Sequence, residues 1–278
     1  VQVNISRTTP IYRSQDDHGI FVQWTITSPS ANAIVDVTIE RSGSPEGPFE
    51  LVITGLTGFH FYDNLRRSPV PPPGATRENL NFLSLTRTLF YRVTVRDSAG
   101  DTSTVTRAVE ANLPRKQALL KRKILRDERV GFKFNGVDMA ILKRRHWGLR
   151  CKDCFDLLTK RVTKSKCNSC YGTGFEGGYF QPVRIRGRFG VMNVQVQMTP
   201  QGVADISKKR VIILDYPAVE PYDLVVDVAQ NKRYLIENVT HTELRTVAVH
   251  QDLAASELAR DSIEYRLVVN YDYIPVIY

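Results

Sequence analysis

The chain has 278 residues and a formal net charge of +9, with 42% hydrophobic and 24% charged residues. That length exceeds one small domain and fits two or three, and the composition excludes a wholly disordered chain. No apolar run nears the roughly 20 residues of a membrane helix, so a bilayer span is not expected.

The first residues, Val1 to Pro10, lack the charged-then-apolar pattern of a signal peptide, so secretion is not expected. Residues 1–112 carry strand signals. Ile20, Val22, Trp24 and Ile26 alternate with Phe21, Gln23 and Thr25, and Ile34–Ile39 and Phe90–Val95 alternate again. Turn clusters separate them: Ser28-Pro-Ser30, the stretch from Ser42 to Pro48, and Asp97-Ser-Ala-Gly100. Short strands between such turns predict an antiparallel sandwich. Three consecutive prolines within Arg66–Gly74 cannot serve a central strand, so that stretch is expected to be an exposed loop.

Leu85, six residues before Tyr91, followed by alternating Val93 and Val95 and a turn, resembles the E–F corner of fibronectin type III domains. The family's usual Pro-Gly at that corner is Arg87-Thr88 here. The resemblance spans about residues 1–110. It implies core places for Trp24 and Tyr91, with the tyrosine hydroxyl bonded back to the corner backbone. Such sandwiches serve many functions, so the fold alone does not assign one.

Residues 113–150 form the second segment. Pro114 suits the first turn of a helix, and Ala118, Leu119, Ile124 and Leu125, with Leu120 nearby, form an apolar stripe. Twelve basic residues stand against three acids here, a surplus equal to the net charge of the whole chain. This is either a solvated basic helical linker or a surface for nucleic acid or an acidic partner. The contact candidates are Arg115, Lys116, Lys121, Arg122, Lys123, Lys143, Arg144 and Arg145.

The strongest local pattern is Cys151-Lys-Asp-Cys154, twelve residues, then Cys167-Asn-Ser-Cys170. Two such pairs let four thiolates converge on one Zn²⁺ at about 2.3 Å each, with no open position, so the ion would be structural. Two disulfides or a thiol redox pair are the alternatives, and they account for the paired spacing less well. Lys152, Lys160, Arg161, Lys164 and Lys166 would offset the charge of such a centre. Residues 151–180 thus read as a zinc knuckle.

Residues 181–278 are β-rich again, with strand runs at 191–198, 210–214, 224–228, 233–239 and 265–269, and a second β-domain, barrel or sandwich, is expected. Leu253–Arg260 is expected to form a short helical turn. Neither His18, His60, His146, His241 nor His250 stands in a metalloprotease pattern, and there is no nucleophile elbow or phosphate-binding loop. Asp215, Glu220, Asp223 and Asp227 flank Tyr216-Pro217 and Pro221, which predicts a solvated loop and strand edge. No enzyme is expected.

The stretch from His146 to Asp156, then Thr159 to Phe180, is similar to the zinc-knuckle segment of neck (head–tail connector) structural proteins of tailed bacteriophages. Its most specific part is Cys170-Tyr-Gly-Thr-Gly-Phe175 with the following Gly-Gly-Tyr179. Asp223–Val239, followed by His241–Val249, resembles the small β-domains of connector and stopper proteins. Together these cover about 146–250. The resemblance implies a ring, hexameric or dodecameric, in the virion neck, assembled in the host cytoplasm. Its implied neighbours are portal or adaptor, tail-terminator or other neck proteins, with packaged double-stranded DNA in the channel and no membrane. A zinc-containing nucleic-acid-binding protein using residues 113–180, a tail or baseplate component, and a carbohydrate- or surface-binding module are the competing readings.

Overall fold

A computed structural model describes residues 1–12, 18–27, 34–64, 89–109, 115–156, 158–159, 161–164, 166–191, 195–199, 202–206, 208–244 and 247–269. The turn at Ser28–Ser30, the proline stretch Arg66–Gly74, the corner 85–88, Pro114 and the chain from 270 onward lie outside these. The chain divides into two compact units, Val1–Arg126 with His146–Arg150, and Asp127–Arg145 with Cys151–Tyr278. Among the described residues no helix is long and apolar enough to cross a membrane.

The first unit holds the expected fibronectin III-like sandwich. Strands β1 (Gln2–Tyr12), β2 (His18–Thr27) and β5 (His60–Asn64) form one antiparallel sheet, in the order β1-β2-β5. Strands β3 (Ile34–Ser42), β4 (Glu50–Leu56), β6 (Phe90–Asp97) and β7 (Thr102–Ala108) form the other, in the order β4-β3-β6-β7. The alternating residues Val37, Ile39, Tyr91, Val93 and Val95 are all fully buried, as are Ile20, Val22 and Trp24 from the opposite sheet. Burying a large apolar side chain contributes about 1.5–3 kcal/mol, so these positions dominate the unit's stability.

Tyr91 is a core residue, and the expected bond from its hydroxyl to the corner backbone falls on residues outside the described ones. The hydroxyl donates to Asp63 Oδ2 at 2.6 Å, and Arg41 donates to the same oxygen at 2.7 Å. The buried Asp63 carboxylate on β5 thus satisfies the tyrosine hydroxyl and the Arg41 guanidinium together, a charge-assisted pairing inside the sandwich.

Phe21 and Gln23 are fully buried as well, so β2 is covered on both faces. Phe21 stacks on His60 (5.3 Å) and Phe59 tilts against it (4.4 Å). The His60 Nδ1 has no hydrogen-bond partner, and burial lowers its pKa to about 4. The unfolded chain therefore binds a proton that the folded one refuses between about pH 6.5 and 4. Stability is full above pH 6.5 and falls as the pH drops through this window, by about 3 kcal/mol. Denaturant unfolding at pH 7 and pH 4 is expected to show this loss, and His60→Phe is expected to reduce it; an unchanged slope in the variant would assign the loss elsewhere.

Helix α1 (Arg115–Asn135) supplies the expected basic helix. Its buried positions include Leu125 and Phe132, whereas Leu120 is exposed. The linker does not extend to residue 150, however. Val137–Leu142 is strand β8 of the barrel, and Met139–Leu142 are buried. An apolar run outweighs the basic residues that follow it, because only the run has surface to hide.

The second unit is built on a closed six-stranded barrel. Besides β8, it uses β11 (Val183–Val191), β14 (Lys208–Leu214), β15 (Leu224–Asp227), β16 (Lys232–Leu244) and β17 (Val247–Glu257). The order round the barrel is β11-β14-β17-β16-β15-β8. Closure leaves no free sheet edge around the ring, the usual hazard of β-domains. Between β11 and β14 the chain forms a separate hairpin, β12 (Gln195–Thr199) with β13 (Gly202–Ile206). Leu253 begins no helical turn: it pairs with Val211, and Ala255 with Lys209, inside β17. Register with a neighbouring strand overrides the helix propensity of Leu253-Ala-Ala-Ser-Glu-Leu258.

Strand β8 is buried on both faces. Ile141 pairs with Val225, and Ala140 with Val226, so alternate residues face opposite sides. Ala140, Leu142, Leu224 and Val226 form a cluster with Tyr179, against which Leu235, Leu258 and Leu267 pack. Tyr179 comes from the cysteine segment, so that segment covers the flank of the barrel that β8 and β15 present.

Candidate metal centre

Among its described residues the cysteine segment has little regular structure: two short strands, β9 (Phe155–Asp156) and β10 (Arg161–Val162), paired with each other. Its shape comes from turns tied to cysteine carbonyls. Phe155 N donates to Cys151 O (3.0 Å) and Tyr171 N to Cys167 O (2.8 Å), which closes each Cys-x-x-Cys into a tight turn. Thr163 bonds Cys154 O through both its amide (2.7 Å) and hydroxyl (2.9 Å). Thr173 does the same for Cys170 O (2.9 and 2.8 Å). Cys151 N donates to Gly174 O (3.0 Å), joining the two turns.

Two glycines are required rather than merely tolerated. Gly174 (φ +79°) and Gly178 (φ +65°) are left-handed, and a Cβ would lie 2.8 Å from Val162 Cγ2 in the first and 2.7 Å from Cys170 O in the second. Both the backbone conformation and the space exclude a side chain there.

All four cysteines are buried, and their sulfur atoms lie within 4.8 Å of one another. Cys151 Sγ and Cys167 Sγ are 3.7 Å apart, and Cys154 Sγ and Cys170 Sγ 3.2 Å. Ligands about 2.3 Å from a tetrahedral ion stand about 3.8 Å apart, close to the first distance. A disulfide needs about 2.05 Å. All four are free thiols, so neither two disulfides nor an oxidised thiol pair is present.

Burial pushes the Cys151 thiol up, and it pushes Cys154 up further, aided by hydrogen bonds from Cys170 and Cys151. Burial acts on Cys167 in the same sense, but the amides of Ser169 and Cys170 and the neighbouring thiols overcome it and bring its pKa down to about 7. Two of these crowded sulfurs, Cys151 and Cys154, resist ionisation as thiols. A cation at the centre of the four offsets that resistance, so the group is able to hold a metal ion.

The basic candidates fare differently. On α1, Lys116 and Lys123 are exposed; the side chains of Arg115, Lys121 and Arg122 lie outside the described ones. Lys143 is no surface contact. It is 1% exposed, and its Nζ lies 3.3 Å from Asp223 Oδ2, 3.1 Å from Glu220 Oε2 and 3.2 Å from Ala218 O. Arg144 and Arg145 are half-buried. The Arg144 guanidinium donates to Gly172 O (3.4 Å) and lies over the Tyr222 ring. Arg145 Nε donates to Tyr179 O (3.1 Å), and its guanidinium lies over the Phe180 ring. The two guanidinium groups fasten the cysteine segment to the end of β8, and the Lys143 carbonyl adds a bond by accepting from Phe180 N (2.9 Å).

The acidic stretch is also not a solvated loop: Asp215, Asp223 and Asp227 are all buried. Asp227 caps its own turn through Ala229 N and Gln230 N. Asp223 accepts from Arg144 N and Glu220 N, at 2.8 Å each, as well as from Lys143. Burial raises its pKa, while Lys143 and these amides pull it down. Sequence reasoning missed this hub. The one available signal was Asp223 standing at the head of an uninterrupted Leu-Val-Val run, where no loop residue belongs.

His241 is exposed on β16, His250 lies 3.8 Å from Asp252, and among the described residues no histidine joins the cysteine group. No family model matches this chain, and no curated protein matches it.

Proposed function

We propose that this chain is a non-catalytic virion protein of a tailed bacteriophage, a ring-forming neck component that joins the DNA-filled head to the tail. The observation that carries the reading is the four-sulfur group: a complete donor set, buried, in a segment tied to the barrel by Arg144 and Arg145. Four thiolates without an open position suit a structural Zn²⁺ better than a catalytic one. The likeness of 146–180 and 223–249 to connector segments supplies the virion context. A part loaded by a pressurised head needs rigid joints between β-domains and wide interfaces, and heterologous contacts that close on themselves would give a ring.

Its partners in this reading are further copies of itself, six or twelve, with portal or adaptor and tail-terminator proteins on either side. Native mass spectrometry of the purified protein, with and without a chelator, tests it. The expected result is a closed ring with one zinc per chain that dissociates or unfolds on chelation. A zinc-bearing monomer that does not assemble on isolated heads would remove the neck reading and leave the zinc one standing.

A further inference from the structure

The cysteine segment carries four exposed cations that have no carboxylate partner among the described residues. Lys152, Arg161, Lys164 and Lys166 are exposed. None of them pairs with a carboxylate among the described residues. Elsewhere in the second unit ion pairs are common: Arg184 and Arg186 share Asp138, Arg210 meets Asp252, Lys208 meets Glu237 and Lys232 meets Glu257. The segment has three acids of its own, Asp153, Asp156 and the exposed Glu176, and the first two are engaged locally. Asp153 accepts from the Ser169 hydroxyl. Asp156 accepts from Leu158 N (2.9 Å) and from the Thr159 hydroxyl (2.8 Å), which locks the tip between β9 and β10. Asp153 and Asp156 thus build the turns, and the four cations keep no carboxylate partner among the described residues.

We infer that this face is a contact surface for the phosphate backbone of double-stranded DNA, made by Lys152, Arg161, Lys164 and Lys166. This deepens the neck reading above and rests on it for the choice of DNA. Flexible ammonium and guanidinium groups on a rigid turn scaffold suit phosphates, which need charge and tolerate variable geometry. Single strands are bound through stacking on exposed aromatic rings. Here Phe175, Tyr179 and Phe180 are buried and Phe155 and Tyr171 are half-buried, so the face offers duplex contacts only. A zinc ion with four thiolates would place a net charge of about −2 beneath this face, which offsets its long-range field. Binding therefore depends on direct pairing at the four side-chain ends. Pairing with phosphates alone carries no sequence preference.

The test uses the full zinc-loaded chain and a mixed-sequence duplex of about 30 base pairs, with binding followed by fluorescence anisotropy from roughly 50 to 200 mM salt. Lys152→Gln, Arg161→Gln, Lys164→Gln and Lys166→Gln are combined in one variant, and its zinc content confirms an intact segment. Each phosphate contact contributes about 0.9 to the slope of log K against log salt, so the variant is expected to lose about 3 to 4 of slope and at least about tenfold in affinity. A parallel variant, Lys116→Gln with Lys123→Gln, is expected to bind as the parent does. Leu158, at the exposed tip, serves as the second control: Leu158→Ser is expected to leave DNA binding unchanged. The inference is overturned if the fourfold variant keeps the parental slope, or if polyglutamate displaces the duplex at equal charge, or if Leu158→Ser abolishes binding, since the last two mark an acidic protein partner. Failure of the ring reading shows instead in the native mass.

Discussion

Replacing Cys170 by serine is expected to abolish tight metal binding and to unfold most of residues 151–180. Among the described residues of this segment, only two two-residue strands and a set of turns hold it, and those turns hang on the carbonyls of Cys151, Cys154, Cys167 and Cys170. Its packed apolar surface is small, so the ion must supply what a core would. For structural zinc in small peptides, binding is worth about 10–16 kcal/mol near neutral pH, and that is folding free energy. Cys170 is the fully buried member of the set, and serine offers a hydroxyl that stays protonated and binds zinc weakly. Two measurements check this. Dye-based metal titration should give one ion per parent chain and little in the variant after dialysis. Amide exchange should accelerate across 151–180 while the sandwich strands keep their protection. A variant that retained one ion with the parental affinity would show that three sulfurs suffice, and the closed-site argument would fall. Acidification is expected to release the metal from the parent, because protons and the ion compete for the same sulfurs.

What was legible in the sequence had local causes. The four cysteines could be grouped by spacing alone, since a two-residue gap is itself the geometry of a chelating turn. Phe90–Val95 and Ile20–Ile26 show the period of a half-buried strand, and both strands are present in the sandwich. What stayed hidden depends on partners far along the chain. Val137–Leu142 is a barrel strand because β11 and β15 flank it, some forty and eighty residues later. Read alone, it sits between two basic clusters and looks like more linker. Lys143 looks like the start of a basic surface, and only the fold reveals Asp223 beside it. The four useful cations on the cysteine segment were visible, but only as charge to balance the metal. That they have no carboxylate partner among the described residues while Asp153 and Asp156 are occupied is a property of the turns, which no charge count contains.

The buried Lys143–Asp223 pair gives an asymmetric prediction. Asp223→Ala is expected to destabilise the second unit by about 3–5 kcal/mol, the range for breaking one side of a buried ion pair. The substitution orphans the amides of Arg144 and Glu220, and it leaves a fully buried ammonium with Ala218 O and the Glu220 carboxylate. Lys143→Met should cost less, about 1–2 kcal/mol, because Asp223 keeps both amide donors and methionine fills the same channel. The pH dependence separates the two. Burial already raises the Asp223 pKa, so the folded chain holds a proton there that the unfolded chain has released. Stability from this group therefore falls as pH rises through its folded pKa, and it recovers on acidification. Removing the Lys143 charge strengthens that trend, so the penalty of Lys143→Met should shrink toward acidic pH while that of Asp223→Ala should not. Denaturant unfolding followed by amide exchange in β8 and β15 reads both. The double variant is expected to be less damaged than the sum of the two, since the orphaned ammonium is then gone as well. Equal penalties for the two single variants, or a Lys143→Met penalty that grew on acidification, would mean that Asp223 does not anchor the joint between the barrel and its metal centre.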